Sequence, residues 1–170
     1  MKTVVSLIDG ISERTGTLVA WLCILMLLLM VSVVAVHGLQ LNSNGLKEAV
    51  IYLHSTVFLL GAAYTLKADG HVRVDIFYRR YSLRTKAWIN SIGHIVFLLP
   101  FCVFIFFISW DLVSTSWRVL EVSNEPGGLP AVFVLKTLIP VAAFSLALQS
   151  IAEILRSLIL LLTLQSDEKL

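Results

Sequence analysis

Charge is what this sequence most lacks. Only 14% of its 170 residues are Asp, Glu, Lys or Arg, against 58% hydrophobic, whereas a soluble domain carries roughly 25% charged residues. A surface so short of charge cannot face mostly water, and the length suits one domain. The formal net charge of +2 is too small to suggest nucleic acid, and the basic residues that cluster do so between two apolar runs, so nucleic acid gets no support as a partner. Cysteine is nearly absent, with Cys23 and Cys102 the two present. Both lie in apolar runs, about 9 and about 21 Å from the inner face if those runs are helices. A disulfide needs Cα atoms within ~7 Å, so both read as small apolar packing residues. No nucleophile with a neighbouring base, metal-ligand spacing, phosphate loop, internal repeat or low-complexity segment is present.

What the chain has is four apolar runs of about the 20 residues a bilayer crossing needs. They cover residues 17–39, 46–66, 88–110 and 131–152, the last with apolar residues continuing to Leu162. The first holds no formal charge and exceeds the ~7–15-residue core of a cleaved signal peptide. Lys47 and Glu48 stand at the outer edge of the second. Trp88 and Trp110 bracket the third, as indoles do at the two interfaces. A helix from 131 to 162 would be about 48 Å long, more than the ~30 Å hydrocarbon core, so it must tilt, kink near Pro140 or project. The expected fold is an all-α integral membrane protein of four transmembrane helices in a single domain, residues 1–170.

The loops set the orientation. Between spans two and three, residues 67–87 hold Lys67, Arg73, Arg79, Arg80, Arg84 and Lys86, six of the 13 Lys and Arg. Segments 40–45 and 111–130 hold little basic charge. The positive-inside rule places the middle loop, and with it both termini, in the cytoplasm. Two stretches have the pattern of amphipathic interfacial helices. One is Val4, Leu7, Ile8 and Ile11, with Asp9, Glu13 and Arg14 elsewhere. The other is Val74, Ile76, Phe77, Tyr78 and Tyr81, interleaved with Arg79, Arg80 and Arg84. A solvated loop is the alternative for each.

Three chemistries can be weighed against these spans. Axial haem ligation needs two histidines at one depth. His54 falls about 4 Å to the outer side of its span's midpoint and His94 about 7 Å to the inner side of its own. His37 and His71 lie at an edge and in a loop, so the histidines read as packing residues. A proton exchanger needs a carboxylate inside the membrane, and none is found before Glu153, near the inner end of span four. Arg156 shares its face, and Gln149 joins them within about 60° of the helix circumference. This trio reads as an end-of-span polar patch packed against a partner. A self-sufficient transporter would show Gly-interrupted half-helices in corresponding halves, and there are none. Lys136 is near enough to the outer edge to snorkel. Physics alone describes a scaffold or accessory subunit, without catalysis or cofactor.

The stretch Gly61-Ala62-Ala63-Tyr64-Thr65-Leu66-Lys67-Ala68-Asp69-Gly70-His71-Val72-Arg73-Val74-Asp75 resembles the signature of the small membrane subunit of TRAP transporters, the tripartite ATP-independent periplasmic systems. Ser109-Trp110-Asp111, Trp117, Ser123-Asn124-Glu125-Pro126-Gly127-Gly128-Leu129-Pro130, Leu135-Lys136, Ile139-Pro140 and Leu148-Gln149 are similar to it too, so the likeness covers residues 50–160. The resemblance implies a multi-pass protein of the bacterial inner membrane, with 40–45 and 111–130 periplasmic. It implies a large multi-span partner that carries the substrate and sodium sites and moves as an elevator. It also implies a periplasmic solute-binding protein that delivers an organic acid. The small subunit would enlarge the stationary scaffold and bind no sodium itself. A structural or assembly subunit of an unrelated membrane complex is the alternative.

Roles follow as expectations. Gly70 and His71 begin the turn out of span two, where Gly70 would take a conformation other residues resist. Asp75 would cap the surface helix, and Arg73, Arg79, Arg80 and Arg84 would sit at anionic headgroups, each worth about 1 kcal/mol. Trp117, Arg118, Glu121 and Glu125 are candidates for docking the binding protein, on a loop whose two glycines permit a fixed turn. Gln149, Glu153 and Arg156 are candidates for the large-subunit interface.

Overall fold

The computed structural model of the chain describes residues 1–71, 78 and 80–167. Its elements are helical: α1 (Lys2–Gly38), α2 (Asn44–Lys67), α3 (Leu83–Gly93), α4 (Leu99–Arg118) and α5 (Val132–Asp167). A π-helical segment, His94–Leu98, joins α3 to α4 without a break, so Leu83–Arg118 forms one long element. Four helices are therefore long and apolar enough to cross a membrane.

The π segment has a local cause. Pro100 stands at the start of α4, where it has no N–H to donate and its ring crowds the carbonyl four residues back. The chain widens by one residue to pass it, and the Leu99 N–H reaches the His94 carbonyl, the i→i+5 bond of a π turn. At its other end α3 starts on Ser82, whose hydroxyl accepts from the Thr85 N–H at 3.2 Å, an N-cap.

α5 is the axis of the bundle and touches every other element, while α1 packs chiefly on α2. Ala142, Ala143, Ser150 and Ala152 on α5 are buried, because small side chains let backbones approach closely where lipid gives no hydrophobic push. α5 runs continuously through Pro140. The helix is therefore not broken at Pro140. The N-terminal stretch expected as a separate surface helix is instead the first four turns of α1. This start of α1 packs on α5, with Val5 and Ile8 against Ala152, Leu148 and Leu155. The start of α1 and the later turns of α5 thus lie at the same end of the bundle.

α1 and α2 meet through a glycine. A Cβ on Gly16 would overlap the Tyr64 ring. Gly16→Ala is expected to destabilise the chain by about 1–3 kcal/mol, the cost of overpacking. Tyr64→Ala in the same chain should suppress part of that loss, checked by thermal unfolding of the detergent-purified protein.

Candidate functional site

Polar groups gather at the two ends of the bundle. At the end that holds the start of α1, Gln149 is completely buried. Its Oε1 accepts from the Ser12 hydroxyl at 2.7 Å, and its amide nitrogen donates to Asp9 Oδ1 at 3.1 Å and Glu153 Oε1 at 3.2 Å. Arg156 forks between the same two acids, to Glu153 at 2.5 Å and Asp9 at 2.7 Å. Beside this network, Lys67 of α2 pairs with Glu13 of α1 at 3.0 Å, and His94 Nδ1 meets the Ser150 hydroxyl at 3.2 Å. Asp69, Tyr78, Asn90 and His94 line one polar cavity of about 230 Å³ together with Glu153 and Arg156. The Tyr78 hydroxyl bonds to the Asn90 side chain at 3.1 Å, so the described part of the loop reaches this cluster.

At the far end, the loop between α4 and α5 folds down onto the start of α2. The Glu48 carboxylate accepts from the Ser123 hydroxyl and, at 2.6 Å, from the Leu129 N–H. The Asn44 side chain donates to the Pro126 carbonyl at 3.2 Å. Glu125 to Gly128 closes as a β-turn, Gly128 N–H to Glu125 carbonyl at 2.9 Å, with Pro126 at its second position and Gly127 at φ 77°. A type II turn asks for that arrangement. Gly128 is needed for space, since a Cβ there would strike Ser123 and the Glu48 carboxylate. Glu121 accepts from Ser116 at 2.6 Å and Lys136 at 2.5 Å. Trp117 donates its indole N–H to Thr137 at 2.9 Å and lies edge-on to Phe133.

The Lys136 hydrogen bond, and after it the Ser116 one, hold the Glu121 carboxyl below its ordinary value near 4.5. A lowered carboxyl pKa stabilises the fold above the unfolded-state value, and that gain is lost as pH falls through the folded one. The tie between the loop and α5 should therefore hold at neutral pH and loosen only below about pH 4.5. Thermal midpoints recorded against pH would check this, with Glu121→Gln expected to flatten the acid limb.

The expected site residues fare differently. Glu153 and Arg156 pair as their spacing predicts. Gln149 faces no partner: it is sealed inside the chain by Asp9 and Ser12, neither of which its own helix could foretell. The left-handed residue after α2 is Asp69, at φ 54°, not Gly70. Asp69 N–H to Leu66 carbonyl and Gly70 N–H to Thr65 carbonyl, at 3.1 and 2.9 Å, close a Schellman turn. Gly70 is the residue after the left-handed position, where a Cβ would come within 3.2 Å of Thr65. His71, Arg80 and Arg84 are exposed, while Arg73, Asp75 and Arg79, with most of the middle amphipathic stretch, lie outside the described residues. Trp88 and Trp110 are exposed at 51% and 58%, about 33 Å apart along their helix, a separation that suits two interfaces. Of the four docking candidates, Trp117 and Glu121 have their polar atoms engaged within the chain, while Trp117, Arg118 and Glu125 are exposed and Glu121 is half-buried.

Four long apolar helices with polar clasps at both ends define a multi-pass membrane protein. The chain belongs to a transporter family: the model described as "Tripartite ATP-independent periplasmic transporters, DctQ component" matches residues 25–160. That family is a transporter component and not an enzyme. No curated protein and no solved structure matches the chain.

Proposed function

We propose that this chain is the small permease subunit of a sodium-coupled secondary transporter that imports an organic acid across the bacterial inner membrane. Its large multi-span partner holds the substrate and sodium sites, and a periplasmic solute-binding protein delivers the acid. Family membership supports the tripartite setting. The observation that carries the scaffold role is the pair of end clasps: Asp9, Glu153 and Arg156 at one end, and Glu48 with the loop backbone at the other. Each clasp ties a distant segment to a helix, and a stationary scaffold needs a bundle pinned in this way while its partner moves.

In this reading the clasp joining the start of α1 to α5 is cytoplasmic, because six basic residues lie in or beside the loop at that end. Arg80 and Arg84, with Arg73 and Arg79, meet anionic headgroups there. The far end is periplasmic, where exposed Arg118 and Glu125 are placed to touch the binding protein. If Glu125→Lys left capture of the binding protein unchanged, that residue would have no docking role. The whole reading is tested by uptake into membrane vesicles carrying all three components. The substrate panel would be C4-dicarboxylates, sialic acids, keto acids and aromatic acids. We expect accumulation of one class that needs both a sodium gradient and this chain; accumulation undiminished without the chain would refute its role.

A further inference from the structure

α2 carries a histidine that no described residue satisfies. His54 is close to the midpoint of its span and exposed on the bundle surface. Within the apolar spans, Glu48, His94 and Lys136 are each bonded inside the chain, and His37 and Lys47 stand at span ends that water reaches. Among the described residues, His54 is the charged or histidine side chain deep in a span that makes no hydrogen bond. Lipid tails offer an imidazole no partner, and ionisable residues inside a membrane almost always face protein or a wet cavity.

The surroundings point the same way. Lys47, Ile51, His54 and Phe58 are all exposed and, at spacings of 4, 3 and 4 residues, form one stripe along α2. α2 is the least apolar of the four spans, yet little of it is buried in the chain; α1, the most apolar, is also the least buried. Lipid exposure accounts for α1 and leaves α2 unexplained. Phe58 also borders an apolar groove of about 320 Å³, with Ala62, Cys102, Ala142 and Ala143 among its lining. Small side chains of this kind admit a helix at close range.

We propose that this face of α2, with the groove beside it, receives a transmembrane helix of the large subunit. That helix presents a carboxylate or side-chain carbonyl oxygen to the His54 N–H, and a second acceptor about 10 Å nearer the periplasm to Lys47. A second copy of this chain does not fit. A two-fold axis along the membrane normal brings equal depths together, setting Lys47 against Lys47 with no acid on the stripe to answer either. The inference rests on the proposed pairing with a large subunit.

The test is site-specific photo-crosslinking in membranes that also express an epitope-tagged large subunit of the same transporter. The photoreactive residue replaces Ile51 or Phe58, with Leu27 and Val34 of α1 and Phe104 of α4 as controls, all of them exposed. We expect large-subunit adducts from 51 and 58 and none from 27 and 34. Adducts of the chain with itself from 51 or 58, or large-subunit adducts from the controls alone, would overturn the assignment of this face. No adduct from any position overturns it too: if the subunits still co-purify, only the face is wrong, and if they do not, the pairing itself fails. In the same membranes His54→Leu should lower recovery of the large subunit about three- to thirtyfold, the range for one intramembrane hydrogen bond. His54→Gln should retain most of it. Equal recovery for His54→Leu and the parent chain would remove the hydrogen bond from the proposal.

Discussion

Replacing Arg156 with methionine is expected to destabilise the chain by about 2 kcal/mol. The guanidinium bridges Asp9 on α1 and Glu153 on α5. Methionine keeps the length of the side chain and removes the charge, leaving two carboxylates side by side with Gln149 as their shared donor. Breaking a fully buried ion pair costs about 3–5 kcal/mol. Here the Arg156 side chain is 42% exposed, and those of Asp9 and Glu153 are 21% and 18% exposed, so water screens part of that cost. Arg156→Lys should lie between, because an ammonium cannot fork to both acids as a planar guanidinium does. Adding Asp9→Asn to Arg156→Met should recover part of the loss, since it removes the carboxylate on α1. Thermal unfolding of the purified protein reads all three. Unchanged midpoints for every variant would mean that solvent screens the network completely and that the start of α1 is held by its other contacts, Val5 and Ile8 among them.

The second large effect belongs to Glu48. Glu48→Ala removes both acceptors that hold the loop between α4 and α5, stranding the part-buried Leu129 N–H. A lost hydrogen bond to a charged group costs about 1.5–3 kcal/mol. Glu48→Gln has nearly the same shape, with a carbonyl to accept from Leu129 N–H and an amide N–H that can donate to the Ser123 hydroxyl, so less than about 1 kcal/mol should be lost. Protease nicking between residues 121 and 130 should accelerate in the alanine variant and hardly change in the glutamine one. If glutamine proved as damaging as alanine, the negative charge rather than the pair of bonds would hold the loop.

These two clasps also mark how far the sequence can be read. The four spans are legible because 20-residue apolar runs leave few alternatives. Glu153 with Arg156, and the Pro126-Gly127-Gly128 turn, are legible because their geometry is local. Asp9 with Arg156 and Glu48 with Leu129 are separated by 147 and 81 residues, and their meeting depends on which helices are neighbours. No periodicity within one helix reports that. Gln149 was open to misreading for the same reason: the polar face of α5 is identical whether α1 or another protein covers it. Two features carried unused signals. Pro100, near the middle of an apolar run, announces a defect in the helix. The Asp69-Gly70 pair announces a left-handed residue, and the glycine draws the assignment one position too late.

The central claim is that this chain works as a pinned scaffold bound to a larger membrane protein. It is tested most directly by purifying the tagged chain in a mild detergent from cells that express the whole transporter, then weighing the intact assembly by native mass spectrometry. The account predicts a stoichiometric complex with a large multi-span subunit. Recovery of the chain alone, from two different mild detergents, would contradict it.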